Sequence, residues 1–288
     1  DPSQPWIAPR LDIARVVVDA APTGPEVVRV RDGRTPGSQP IPYVVQPPSG
    51  GQTGSITIGN FTDVEFEPGA VIKMRASNLD VAGAGSNIFS LGTASQPVIF
   101  TSLFNDDLSV GGDTNRDGNN TLPGRGDFGG LVFRNGTDDA LSIVNFTRLQ
   151  FGGGVVPRGG VGGLDTDIRP EVITMKSARP TVVNSIIEKS GLSVAGLIQN
   201  AQAAMSATPD SFADDTALPA DGTGAGQRGP LLRNLEFRDN SINGLLVHAS
   251  HDTGETAFTS FTNARWDDPV THVLTSLMRV SLGTELTI

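Results

Sequence analysis

Short runs of β-branched and apolar residues, each closed by Gly, Pro, Asn or Asp within a few positions, set the character of this chain from Ser55 onward. They are Ser55–Ile58, Val64–Phe66, Val71–Met74, Leu79–Val81, Ile88–Leu91 and Val98–Thr101. They resume at Leu131–Phe133, Leu141–Val144, Leu149–Phe151, Val172–Met175, Val182–Ile187, Leu192–Leu197, Leu231–Phe237, Leu245–Val247 and Val273–Leu277. None is long enough for a useful helix, and their residue types favour strand. A 3.6-residue period shows only weakly, around Ala195 to Met205. With 35 glycines and 20 prolines to make tight turns, the chain reads as all-β rather than as a helical bundle.

A repeat orders these strands. Asn184-Ser-Ile-Ile187, Asn234-Leu-Glu-Phe237 and Asn263-Ala-Arg-Trp266 share Asn-x-x-large apolar. The last two copies are 29 residues apart; the first two are 50 apart, with the Gly/Ala/Asp-rich segment 199–229 between them. Setting that segment aside leaves a period in the twenties. With strands and no helices, such a period predicts a parallel β-helix, in which each coil stacks on the one below. A leucine-rich repeat is the competitor, since Leu232-x-x-Leu235-x-Phe237-x-x-Asn240 fits its template, but it fits once and a horseshoe needs several copies.

Residues 1–50 differ from the rest. They hold half of the prolines, including Pro47-Pro48, and a residue without an N–H is a poor member of a central sheet. The runs Ile13–Val18 and Val27–Val30 are therefore expected at an edge or over one end. The expected division is 1–50 as a cap or subunit-contact arm, and 51–288 as a β-helix with inserted loops at 102–127 and 199–229.

The loop 102–127 carries the chemistry. A polar stretch this long inside a compact domain is usually organised by a ligand. Asp113, Asn115 and Asp117 alternate and Gly118 follows. Oxygen side chains at positions 1, 3 and 5 before a turn glycine form the front half of a calcium loop. Asn119 would offer its carbonyl at position 7. Position 12 is Gly124, so the bidentate Glu of an EF-hand is missing and a further carboxylate must come from Asp106, Asp107 or Asp127. The expected cofactor is Ca2+, pinning the loop; the competing account is a solvated turn built on Asx hydrogen bonds.

Other constellations are weaker. Asp165/Asp167/Glu171, Asp214/Asp215/Asp221 and Asp267/Asp268 could act as glycosidase pairs only if a cleft set them at the right separation. His248, His251 and His272, with Asp252 and Glu255 nearby, lack a full zinc set. No Gly-x-Ser-x-Gly turn supports nucleophilic catalysis, and the Gly-rich 152–163 lacks the Lys-Ser/Thr of a phosphate loop. A β-helix lyase would also need a cationic base or charge neutraliser beside its calcium, and with three lysines scattered far apart only arginines such as Arg125, Arg134 or Arg148 could serve. A net charge of −10 disfavours nucleic acid, no run of 18 apolar residues spans a membrane, and the absence of cysteine removes disulfides and thiol chemistry.

The stretches Val64–Met74, Leu91–Ser102, Asn105–Leu131 and Leu149–Gly154 together resemble right-handed parallel β-helix modules of large bacterial surface and secreted proteins, within the wider pectin-lyase-like group. Val64-Glu-Phe-Glu-Pro-Gly-Ala-Val-Ile-Lys-Met74 is similar to their opening coil I-x-P-G-V-V-I-K-F, and Leu91 to Ser102 to L-G-T-x-x-x-P-V-I-F-T-S. Asn105-Asp-Asp107, Gly112 to Gly118 and Gly126 to Leu131 resemble D-D, G-G-D-T-N-x-D-G and G-D-W-G-G-I, with Phe128 in place of Trp; Leu149 to Gly154 resembles I-R-Y-G-G-G. The resemblance covers most of 55–280. It implies a right-handed parallel β-helix at the cell surface or outside the cell, adhesive or structural rather than catalytic, with a possible surface glycan as partner. A polysaccharide lyase or hydrolase of the same fold is the alternative. The run Val280 to Ile288 resembles Gly54–Ile58, which opens a coil. That raises the expectation of head-to-tail self-association into a fibre, or of neighbouring modules in one longer chain.

Overall fold

In the computed structural model the structure describes residues 10–12, 15–18, 26–32, 38–47, 54–118, 120–135, 137, 141–154, 171–191, 203–212, 230–247, 256–258, 264–266, 268–274, 278–280, 282–283 and 285–288. Among these there are strands and two 3-10 turns but no α-helix.

The strands recur in threes. Coil by coil they are β1 (Arg10–Asp12), β2 (Arg15–Val18) and β3 (Glu26–Val30); β4 (Tyr43–Gln46), β5 (Gly54–Ile58) and β6 (Thr62–Phe66); β7 (Val71–Met74), β8 (Ser77–Val81) and β9 (Asn87–Leu91). Then follow β10 (Val98–Ser102), β11 (Leu131–Phe133) and β12 (Ile143–Asn145); β13 (Thr147–Gln150), β14 (Ile173–Met175) and β15 (Thr181–Val183); β16 (Ile186–Glu188), β17 (Ala203–Ala207) and β18 (Leu231–Arg233). The last are β19 (Glu236–Arg238), β20 (Ile242–Val247) and β21 (Thr256–Phe258); β22 (Ala264–Arg265), β23 (His272–Val273) and β24 (Met278–Val280); and β25 (Leu286–Thr287). Every third strand joins the same sheet, always in parallel. Sheet 1 runs β1-β4-β7-β10-β13-β16-β19, sheet 2 runs β2-β5-β8-β11-β14-β17-β20-β23, and sheet 3 runs β3-β6-β9-β12-β15-β18. The pairs β21–β24 and β22–β25 carry the same order on as separate two-stranded sheets. This is a parallel β-helix.

Where no insertion intervenes, a coil is short. Asp63 pairs with Asn87, 24 residues on, and Thr256 with Met278, 22 residues on. The period in the twenties is therefore real, and longer spacings come from chain that leaves the stack at corners. The interior is filled by columns of like residues: Ile72, Phe100, Leu149, Ile187 and Phe237 from sheet 1, and Leu79, Leu131, Ile173, Met205 and Leu245 from sheet 2. All but Phe237 are fully or almost fully buried, and Phe237 packs against them.

Two runs that read as single strands are each two. Val182–Ile187 divides into β15 and β16 at Asn184, and Leu231–Phe237 into β18 and β19 at Asn234. Both asparagines hold a left-handed backbone, φ +50° and +53°, which Asn tolerates better than most residues, so the chain turns the corner between sheets 3 and 1 there. Asn263, the third copy of that repeat, lies outside the described residues, as does Leu192–Leu197. Within the segment 199–229, Ala203–Ala207 is a buried strand of sheet 2 rather than loop, with Met205 filling the interior column between Ile173 of β14 and Leu245 of β20. The runs Ile13–Val18 and Val27–Val30 supply β2 and β3, the terminal strands of sheets 2 and 3. The Pro-rich segment thus forms the first coil and opens the second.

Candidate metal centre

The stretch 103–130 leaves the stack between β10 and β11, at the corner between sheets 1 and 2, and returns by a glycine zipper. The N–H groups of Gly153 and Gly154 donate to the carbonyls of Gly129 and Phe128 at 2.7 and 2.8 Å. A Cβ on Gly154 would lie 1.9 Å from the Gly126 oxygen, and one on Gly130 2.1 Å from the Val172 oxygen. No other residue lets the two backbones approach this closely. Phe128, between them, is buried in the core.

The acidic side chains of the loop separate by role. Carboxylate oxygens of Asp106, Asp113 and Asp117 all lie within 4.8 Å of one another. Asp113 accepts from the backbone N–H of Asp117 at 3.1 Å and of Gly118 at 2.9 Å. Asp117 accepts from the N–H groups of Asn120 and Thr121 at 3.1 Å each, and from the Thr121 hydroxyl, which holds its carboxyl below the usual range. Gly118 takes φ +65° to let the chain turn. Asn115 donates from Nδ2 to Asp117 at 2.8 Å and to the Thr121 hydroxyl at 2.9 Å, while its Oδ1 is buried with no hydrogen-bond partner. Both carboxylate oxygens of Asp106 are likewise buried and unpartnered. Burial, and then the charge of Asp113, push the Asp106 carboxyl above its ordinary value.

Asp107 and Asp127 face elsewhere. Asp107 caps a 3-10 turn, Leu108–Val110, accepting from the Ser109 N–H at 2.7 Å, and that bond lowers its pKa. Asp127 accepts from the Ser102 hydroxyl at 2.5 Å and the Gly124 N–H at 2.8 Å, fastening the loop's two ends together; burial raises its pKa. Asn119 lies outside the described residues.

Sequence reasoning passed over Lys73. It lies on the outer face of β7 with no exposed surface, and its Nζ donates to the Asn105 carbonyl at 2.7 Å, the Gly112 carbonyl at 2.5 Å and the Thr114 hydroxyl at 2.7 Å. Burial lowers its pKa to about 8, against the opposing pull of Asp106, Asp113 and Asp107. The available signal was the Lys of the I-K-M run, a cation at an apolar strand position. At the far end of the loop, Arg125 donates to the Ser190 carbonyl at 3.2 Å and to Asp239 at 2.6 Å. The loop is thus fastened to β7 at one end and to the corners after β16 and β19 at the other.

An oxygen-only set suits a hard cation. Two oxygens on opposite sides of a calcium bonded at about 2.3–2.6 Å are about 4.6–5.2 Å apart, so three carboxylates within 4.8 Å of one another fit around one ion. Buried acceptors without donors are costly, charged ones most of all, and an ion among the three carboxylates would satisfy Asp106.

The other candidate sites do not assemble among the described residues. Arg134 forks onto Asp80 at 2.7 and 3.2 Å, and Arg148 donates to Glu188 at 2.7 Å. With Arg125 on Asp239, all three arginines considered as charge neutralisers are engaged. Glu171 accepts from Ser206 at 2.5 Å and Asp268 from the Val270 N–H at 2.9 Å. Asp165, Asp167, Asp214, Asp215, Asp221 and Asp267 lie outside the described residues, as do His248 and His251. His272 stacks on Trp266, ring centroids 4.4 Å apart, with Nε2 3.3 Å from Asp268. No described helix is long and apolar enough to cross a membrane. Comparison with models of protein families, with curated proteins and with solved structures finds no match to this chain.

Proposed function

We propose that the protein is an extracellular structural or adhesive β-helix whose corner loop is fastened by Ca2+, a module of the pectin-lyase-like kind. The observation that carries this reading is the group Asp106, Asp113 and Asp117, with both Asp106 oxygens and Asn115 Oδ1 buried and unpartnered. The loop is tied to the stack by Lys73 at one end and by Arg125 at the other. On the outer face of sheet 1, Glu188 is held by Arg148 and Gln150, and Glu236 by Arg238. These charges neutralise one another, which favours a structural role over a catalytic groove.

The coils are stacked by parallel backbone ladders of a kind that a further coil can join, and the proposal extends to self-association head-to-tail or to neighbouring modules of the same chain. Calcium titration followed by thermal melting tests the first part of the proposal: ion should raise the melting temperature and chelator reverse it, and a melt indifferent to both would defeat the calcium reading. Sedimentation and electron microscopy at increasing concentration test the second.

A further inference from the structure

The three carboxylates of the cation site do not stand alone. The Lys73 ammonium, on β7, is bonded to the neighbours of two of the ligands: Asn105 precedes Asp106, while Gly112 and Thr114 flank Asp113. Asp106, Asp113 and Asp117 contribute three negative charges, Lys73 returns one positive, and the remainder is −2. Asp107 and Arg116 also lie in this loop; their opposite charges cancel in the count, and both, like Asp113, are exposed to solvent and salt that screen them. Lys73 is fully buried and its charge is not screened in that way.

We propose that Lys73 sets the charge selectivity of the site, matching it to a divalent cation. This rests on the cation reading above. With the ammonium in place a divalent ion closes the group at zero net charge and a trivalent ion leaves one positive charge uncompensated. Without it the carboxylates total −3 and a trivalent ion becomes the neutral partner. An uncompensated charge in a partly buried site is strongly unfavourable. Lys73 also holds the loop backbone, so its removal weakens binding of any ion; that loss is common to both ions and cancels in their ratio. The ratio of affinities is therefore the quantity that separates a charge-setting lysine from a merely structural one.

The experiment is calorimetric titration of the full chain at pH 7 with CaCl2 and, separately, TbCl3, with folding checked by circular dichroism. Lys73→Met should shift the ratio toward Tb3+ by about tenfold or more. Lys73→Gln, the second neutral variant, should shift it the same way, and Lys73→Arg should leave it unchanged. Adding Asp117→Asn to Lys73→Met restores the −2 count and should bring the ratio back toward Ca2+. An unchanged ratio in a neutral variant that still binds ion overturns the assignment while leaving the cation site standing. Failure of both neutral variants to fold with either ion also overturns it, making Lys73 a structural requirement. A wild-type chain that binds neither ion removes the site itself.

Discussion

Asn234 donates from Nδ2 to Oδ1 of Asn184 at 3.0 Å, one coil away at the same corner of the stack. The chain of amides continues, with Asn184 donating to Asn145 at 3.0 Å. Both Asn184 and Asn234 occupy the left-handed region, which costs a residue with a Cβ about 1–2 kcal/mol unless its side chain compensates locally. At Asn184 and Asn234 one residue supplies both the amide and the left-handed turn, whereas in the coil before them Asn145 carries the amide and Phe146 the turn, φ +45°.

Asn184→Ala loses the amide ladder and keeps the Cβ strain, whereas Asn184→Gly loses only the ladder. The alanine variant should be less stable than wild type by about 1–3 kcal/mol, with the glycine variant between them. Equal denaturation midpoints for the two variants would show that the backbone conformation is not what the corner selects for.

Phe100 tests the column of side chains inside sheet 1. It is fully buried and meets Phe66 edge to face at 5.1 Å and 75°. Phe100→Ala should cost about 3–5 kcal/mol, since the coils above and below are tied by backbone ladders and cannot collapse into the hole. Phe100→Leu should cost clearly less. Chemical denaturation measures both, and a loss under 1 kcal/mol for alanine would mean the column is loosely packed.

The architecture was legible because its signal is periodic: short runs, corner residues and a repeat in the twenties all follow from stacking one coil on another. The corners at Asn184 and Asn234 were less so, because a left-handed asparagine interrupts no apolar pattern and Val182–Ile187 reads as one strand. Insertions also hid the period, since β17 stands within a Gly/Ala/Asp-rich stretch that reads as loop. At the candidate metal centre the spacing Asp113, Asn115, Asp117 was visible along the chain, and Asp106 was one of three flanking carboxylates. What separated it from Asp107 and Asp127 was the partners those two find in Ser109 and in Ser102 and Gly124. Lys73 belongs to the same class of hidden residue, 32 positions from Asn105 and brought to it only by folding.

Lys73 also predicts a dependence on pH. Burial holds its folded pKa near 8, below the ordinary 10.5, so between those values the folded chain has released a proton that the unfolded chain still binds. Stability therefore rises with pH across that window, and the rise is complete once the unfolded lysine has also lost its proton. Melting in chelator from pH 7.5 to 10.5 should show this upward contribution in wild type and lose it in Lys73→Met. Parallel curves for the two proteins would place the titration elsewhere.

The reach of the proposed ion's effect would be set by where the loop is fastened. Lys73 holds Asn105, Gly112 and Thr114 to β7, and Arg125 holds the loop's exit to Ser190 and Asp239. Neither anchor uses the ion. Between them, the N–H groups of Asp117, Gly118, Asn120 and Thr121 are bonded to the carboxylates of Asp113 and Asp117, so their protection follows the order of those side chains. Calcium at a hundred times its dissociation constant would stabilise the bound state by about 2.7 kcal/mol, and chelation removes that increment. Hydrogen exchange should then quicken at these four amides on adding chelator. It should stay slow at Ile99, bonded to Ala70, and at Leu131, bonded to Val172, whose ladders lie in the coils themselves. Asp113→Ala with Asp117→Ala should reproduce the chelator pattern without chelator. Exchange that quickens in the coils as well would make the ion a clamp on the whole stack, and exchange unchanged everywhere would mean that no ion is bound.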